Sequence, residues 1–139
     1  IFSGGPIAWR SKLQTLTALS TQNAEYVALC AATTMVIPLR QILQDLGVSV
    51  IEPTLLLGDN AGTITTALDP EENSPGTKYF LVKKHFVKDH VANRTIRLQH
   101  VTTKDNIADL LTKGLTEPAM RHLLMSLNMD MTEAYNDRN

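Results

Sequence analysis

The stretch that most constrains this chain is Pro53-Thr54-Leu55-Leu56-Leu57-Gly58-Asp59-Asn60. An apolar run closed by proline and glycine reads as a short strand buried on both faces, as in a parallel sheet covered by helices. It stops at Asp59-Asn60 and runs into Ala61-Gly62-Thr63-Ile64-Thr65-Thr66-Ala67-Leu68, which is permissive for helix. Open α/β sheets place their ligands beyond the carboxyl ends of their strands, which is where Asp59 falls. Two readings stand together here. Asp59 is a carboxylate offered to a ligand, or Asp59-Asn60 merely caps the next helix.

The rest of the chain supplies the frame. Ile1-Phe2-Ser3, Gly4-Gly5-Pro6 and Ile7-Ala8-Trp9-Arg10 predict strand, turn and strand, and the alternating Thr15-Leu16-Thr17-Ala18-Leu19 predicts a further extended stretch. A helix is predicted over 22–46, with Ser20 or Thr21 as its cap and Gly47 at its end. Its apolar face is read as Ala24, Ala28, Ala31, Met35, Leu39, Ile42 and Leu46, and Pro38 predicts a kink or a junction of two helices. A polar loop over 69–76 precedes a helix over 77–90, with Tyr79, Phe80, Val82, Phe86, Val87 and Val91 inward and lysines on the other side. Residues 95–101 alternate like a strand. Thr102-Thr103-Lys104-Asp105 then leads into a helix through Ile107-Ala108-Asp109-Leu110-Leu111, and Pro118 opens a last helix over 119–127. This order is that of an α/β protein with a mixed sheet, in one domain of 139 residues with a tail at 128–139.

No apolar run of membrane-span length and no signal-peptide pattern is read in the sequence, so no membrane partner is expected. Cys30, the one cysteine, falls in an apolar helix as a core residue, and no Cys/His spacing suggests zinc. The expected compartment is reducing and intracellular. The chain opens at Ile1-Phe2, in what reads as the middle of a strand, and is expected to be a piece of something longer. Net charge is −1, yet between Gly76 and Lys104 seven cations (Lys78, Lys83, Lys84, Lys88, Arg94, Arg97 and Lys104) face a single acid, Asp89. Such a block is either a solvated face or a surface for a phosphate backbone.

Three acids stand at comparable places: Glu25 early in the long helix, Asp59 at the strand end, Asp109 early in the late helix. Acids near helix N-termini gain roughly 0.3–1 kcal/mol from the macrodipole, which is reason enough for Glu25 and Asp109 taken singly. Both, however, border apolar faces, where a carboxylate is costly unless a cation or metal meets it. Oxygen donors without histidine or thiolate suit Mg²⁺ or Mn²⁺. Two such ions clamp both oxygens of a phosphodiester displacement.

Several blocks are shared, in order and spacing, with a known family. They are Trp9-Arg10-Ser11-Lys12-Leu13-Gln14, Ala18-Leu19-Ser20-Thr21-Gln22-Asn23-Ala24-Glu25-Tyr26, Gly58-Asp59-Asn60, Thr77-Lys78 with His85-Phe86, and the segment from Val101 to Lys113. Together they resemble the ribonuclease H domain of copia-type LTR retrotransposons, across residues 1–127. The resemblance implies a ribonuclease H-like fold, a five-stranded mixed sheet flanked by helices, of which this chain lacks the first, central strand. It also implies Mg²⁺-dependent cleavage of the RNA strand of an RNA–DNA hybrid beside the reverse transcriptase portion of the same polyprotein, in a cytoplasmic virus-like particle or the nucleus. Glu25, Asp59 and Asp109 match the second to fourth metal-binding acids. The family's first acid precedes the Gly-Gly-Pro turn, and no acid stands before Glu25 here, so hydrolysis is not expected of this chain by itself. Pro38 stands where the family has an aromatic residue, Tyr79 where it has histidine, and Leu81 where it has an acid. Lys78, Lys83, Lys84 and Lys104 are the candidates for phosphate contacts. The alternative is a non-catalytic nucleic-acid-binding or assembly module. An unrelated Mg²⁺-dependent phosphatase would leave the Trp9–Gln14 and Lys104–Lys113 blocks unexplained.

Overall fold

The computed structural model describes residues 1–14, 20–69 and 78–129, apart from the side chain at position 79. Predictions for 15–19, for 70–77 and for the tail beyond 129 lie outside the described residues. Of those described, residues before 16 and after 100 form one compact unit, and those between form another.

The larger unit is an α/β arrangement of α1 (Thr21–Asp45), β1 (Thr54–Gly58), α2 (Ala61–Leu68), α3 (Lys78–Ala92) and β2 (Ile96–His100). Local chemistry sets each boundary. Ser20 accepts a hydrogen bond from the Asn23 N–H at 3.1 Å, capping α1. At its other end the N–H groups of Gly47 and Val48 return to Gln44 and Leu43, with Gly47 at φ +79. That is the reciprocal pair of bonds by which a left-handed residue closes a helix. The same closure ends α3, where Arg94 (φ +55) and Thr95 return to Val91 and His90. The guanidinium of Arg40 on α1 donates to the Glu52 carbonyl (2.8 Å), the Val50 carbonyl (2.9 Å) and the Thr54 hydroxyl (2.9 Å), fixing the approach to β1.

Strands β1 and β2 are parallel, Leu56 opposite Leu98 and Gly58 opposite His100. The connection between them runs through α2 and α3, as a parallel pair requires. Among the described residues the sheet has these two strands rather than the mixed sheet read from the sequence. The expected burial of β1 on both faces is corrected as well. Leu56, Ile96 and Leu98 enter the core with Tyr26, Cys30, Val36, Ala67 and Val87, while Leu55 and Leu57 on the opposite face are 36% and 46% exposed. Among the described residues Leu56 packs on the core while its two neighbours face away, so the triple leucine behaves as an alternating strand.

Helix α1 buries Tyr26, Cys30, Thr33 and Val36, whereas Ala28, Ile42 and Leu46 of the predicted stripe are exposed. The helix is apolar on nearly every side, so periodicity alone could not choose its face. It continues through Pro38 as one element, with the proline on an exposed position. By length and composition it would suffice to cross a membrane, contrary to the sequence reading; in this structure one face of it packs on α2, α3 and β1.

In α3 the prediction of inward aromatics holds for Phe80 and Phe86, which are partly buried. Val82 is exposed instead. Lys84 is the correction with most consequence. It is 6% exposed, its ammonium 5.3 Å from the Phe80 ring centroid, and its carbonyl accepts from the buried Tyr26 hydroxyl at 3.5 Å.

The smaller unit holds the first and last segments. The predicted hairpin reduces to a tight turn closed by a Phe2–Gly5 bridge, with positive φ at Ser3 and Gly4, and residues 6–14 have no regular structure. A two-stranded ribbon with nothing packed on it is marginal, and Ile7, Trp9 and Leu13 are exposed. The predicted helix at 107–111 is instead a pair of 3₁₀ turns, Thr103–Asp105 and Ile107–Leu111. Asn106 caps the second, accepting from the Ala108 N–H at 3.3 Å. Helix α4 (Glu117–Met125) follows, starting two residues earlier than predicted, with Pro118 in its first turn and Leu123 buried.

Candidate functional site

Asp59 leaves β1 one residue beyond Gly58, at the carboxyl end of both parallel strands, where the paired residue on β2 is His100. The cap of α2 is Asn60, whose side chain accepts from the Thr63 N–H at 2.9 Å. The capping alternative therefore holds for Asn60 and not for Asp59. Asp59 is half-buried, and among the described residues it has no hydrogen-bond or ion-pair partner. A carboxylate so placed stabilises nothing around it by hydrogen bonding and is a donor available to a ligand.

The start of α1 is fastened to α2 close by. Gln22 donates to the Thr66 hydroxyl at 2.9 Å, and its carbonyl accepts from the buried Thr63 hydroxyl at 3.4 Å. Gly62 is needed there: an added Cβ would stand 3.3 Å from Asn60 Oδ1 and 3.4 Å from Gln22 Nε2. Glu25 lies three residues after Gln22, on the same side of α1, and is half-buried beside the fully buried Tyr26. Two of the three predicted acids are thus carried by elements that pack together.

Asp109 belongs to the smaller unit and is 5% exposed. Its Oδ2 accepts from Lys113 Nζ at 2.7 Å and its Oδ1 from Asn106 Nδ2 at 3.4 Å. The sequence expectation that a buried-edge acid needs a cation is met here by lysine. Lys113 was missed, although Asp109 and Lys113 stand at the i, i+4 spacing that pairs side chains on a helical turn. The neighbouring Asp105 bridges Thr102 Oγ1 (2.5 Å) and His122 Nε2 (2.8 Å). Those two hydrogen bonds, the threonine's first, hold its carboxyl below the ordinary aspartate range.

In donor chemistry Glu25, Asp59 and Asp109 fit a hard divalent ion. Among the described residues, however, no three His, Cys, Asp or Glu side chains come together as a group able to hold one. A cation at Asp109 would have to take the place of the Lys113 ammonium.

Of the basic block, Lys78 and Lys104 are exposed, Lys83 is half-buried, and Lys84 is inside the fold. Cys30 sits in the core near Lys83. Burial pushes its thiol up, and the lysine's charge pulls the other way, as befits a packed side chain of the core.

No protein-family model and no solved structure matches this chain. Among curated proteins, the retrovirus-related Pol polyprotein from transposon TNT 1-94 of Nicotiana tabacum is 36% identical over 115 residues, 81% of this chain. Over most of its length the chain is similar to a segment of transposon Pol polyproteins. The Pol polyprotein from transposon RE1 of Arabidopsis thaliana is 28% identical over 124 residues, 89% of the chain. The Ty1-DR5 Gag-Pol polyprotein of Saccharomyces cerevisiae is 29% identical over 115 residues, 83% of the chain. The chain spans 8% of the first two Pol polyproteins and 6% of the third, one short segment of each.

Proposed function

We propose that this segment is the ribonuclease H portion of a copia-type Pol polyprotein. In this reading it binds an RNA–DNA hybrid, works beside the reverse transcriptase portion in a virus-like particle or the nucleus, and uses Glu25, Asp59 and Asp109 as ligands for Mg²⁺ or Mn²⁺. One observation supports the reading most. Asn60 performs the cap, so the half-buried Asp59 carboxylate at the sheet's carboxyl end has no structural task among the described residues. A bound divalent cation supplies charge neutralisation for a phosphodiester and acidity for a water molecule. The chain's own contribution is to fasten the elements that carry Glu25 and Asp59 through the Gln22–Thr66 and Gln22–Thr63 bonds and to meet the phosphate backbone with Lys78, Lys83 and Lys104.

A second reading has a specific observation behind it. Lys113 already neutralises Asp109, which suits a module that binds nucleic acid without cutting it. Cleavage of a labelled hybrid with Mg²⁺ separates the two. The 139-residue chain is compared with a version carrying an added N-terminal strand that bears an aspartate, and with Asp59→Asn in that version. Cleavage by the extended chain that Asp59→Asn abolishes, with hybrid binding retained, is the expected result. A folded extended chain that binds hybrid and stays inert favours the binding module. Cleavage that survives Asp59→Asn rules out the proposed metal ligand.

A further inference from the structure

Trp9 is the one tryptophan of the chain and is 70% exposed, in a segment with no regular structure. Ile7 and Leu13 near it are exposed as well, and a group of exposed apolar side chains is informative where a single one is not. Arg10 and Lys12 beside it are exposed, and among the described residues neither forms an ion pair. Residues 1–24 contain no acid.

The segment is nonetheless held in place. Ser11 Oγ donates to the Leu111 carbonyl at 2.8 Å, and Asn128 Nδ2 donates to the Gly4 carbonyl at 2.9 Å. At Gly4 the fit is close, since a Cβ there would stand 2.7 Å from Asn128 Nδ2 and φ is +82. Trp9 therefore lies between two tethers to the same unit. A surface fixed in advance loses less entropy when it binds.

We propose that Trp9, Arg10 and Lys12 form a platform for single-stranded nucleic acid, a base stacking on the indole while the two cations meet phosphates. The chemistry selects this class of ligand. An exposed indole offers a π-face to any unpaired base, and unneutralised cations attract a polyanion. A base-paired duplex has no free base face to offer it. The platform uses neither the three acids nor the lysines of α3, so it stands whether or not the chain hydrolyses a hybrid.

The single tryptophan makes the test direct. Short oligo-dT and oligo-rU are titrated into the 139-residue chain, following Trp9 emission and, separately, the anisotropy of a labelled oligonucleotide. Saturable quenching by either oligonucleotide is expected. Trp9→Leu should weaken the anisotropy-detected affinity roughly 5- to 150-fold, the range for loss of one base–aromatic stack. The Arg10→Ala/Lys12→Ala variant keeps the fluorescent probe. Its slope of log K against log salt should fall in magnitude by about 1.4, the value for two phosphate contacts on a single strand. Unchanged far-UV circular dichroism shows that each variant folds. Asp59→Asn should leave the quenching unchanged, which separates this surface from the proposed hydrolytic site. Oligonucleotide binding without any change in Trp9 emission overturns the proposal, as does affinity indifferent to Trp9→Leu. Self-association that Trp9→Leu abolishes, with no oligonucleotide binding, overturns it in favour of a protein contact.

Discussion

Replacing Asp59 and Asn60 one at a time separates the structural residue from the functional one. Asn60 accepts the Thr63 N–H at 2.9 Å, a bond that alanine cannot make. Loss of such a cap costs about 1 kcal/mol, within a range of roughly 0.5–2. For a chain of this size, that lowers the melting temperature by about 3 °C. At Asp59 two terms oppose each other. Asparagine removes a half-buried charge that has no hydrogen-bond partner among the described residues, but it forfeits roughly 0.3–1 kcal/mol of attraction to the start of α2. The net change expected for Asp59→Asn is therefore within roughly 0.5 kcal/mol of zero. Urea and thermal unfolding followed by circular dichroism measure both variants against the parent. If Asp59→Asn destabilises as much as Asn60→Ala, Asp59 is part of the scaffold and the reasoning fails.

Arg94→Gly should stabilise by about 0.5–1 kcal/mol, because Arg94 closes α3 at φ +55, where glycine carries no Cβ penalty; an unchanged or lower unfolding midpoint contradicts this. Asp105 has a depressed folded-state pKa, so its contribution is present above the ordinary aspartate range and is lost as pH falls through the folded value. Asp105→Asn should accordingly flatten the acid limb of stability below about pH 4, read as urea midpoint against pH, and an unaltered limb refutes it. If the exposed Lys78 meets a phosphate, Lys78→Ala should reduce the salt slope of hybrid binding by about 0.9, while Lys84→Met, at a buried position, should leave the slope alone. A slope that Lys84→Met flattens and Lys78→Ala does not would invert the assignment.

What could be read in advance was what the local sequence decides. The bounds of α2 follow from Asn60 and the run to Leu68, and β2 follows from the alternation around Ile96 and Leu98. Gly47 closes α1 as expected because a left-handed residue was needed there. What could not be read depends on partners distant in sequence. Tyr26, Cys30, Thr33 and Val36 win the buried face of α1 because Phe80, Val87 and Ile96 meet them, and the alanine stripe carried no information about those neighbours. Lys84 follows the same logic: counted among the surface cations, it lies under Phe80 within the fold. Leu55 and Leu57 read as buried from the unbroken apolar run, whereas of the three leucines it is Leu56, partly buried, that packs on the core. At the candidate site, Asp59 stood out through its place at the strand end. The pairing of Asp109 was written in the i, i+4 spacing to Lys113 and was overlooked.

The central claim is that the carboxylate at the end of β1 binds a divalent cation and is no helix cap. Paramagnetic broadening of backbone amide signals by substoichiometric Mn²⁺ tests it without relying on cleavage. The expected result is selective loss of the signals of Gly58, Asp59, Asn60 and Ala61, together with those around Glu25, reversed by excess Mg²⁺ and absent in Asp59→Asn. Broadening that spares the end of β1, or that persists unchanged in Asp59→Asn, would contradict the account.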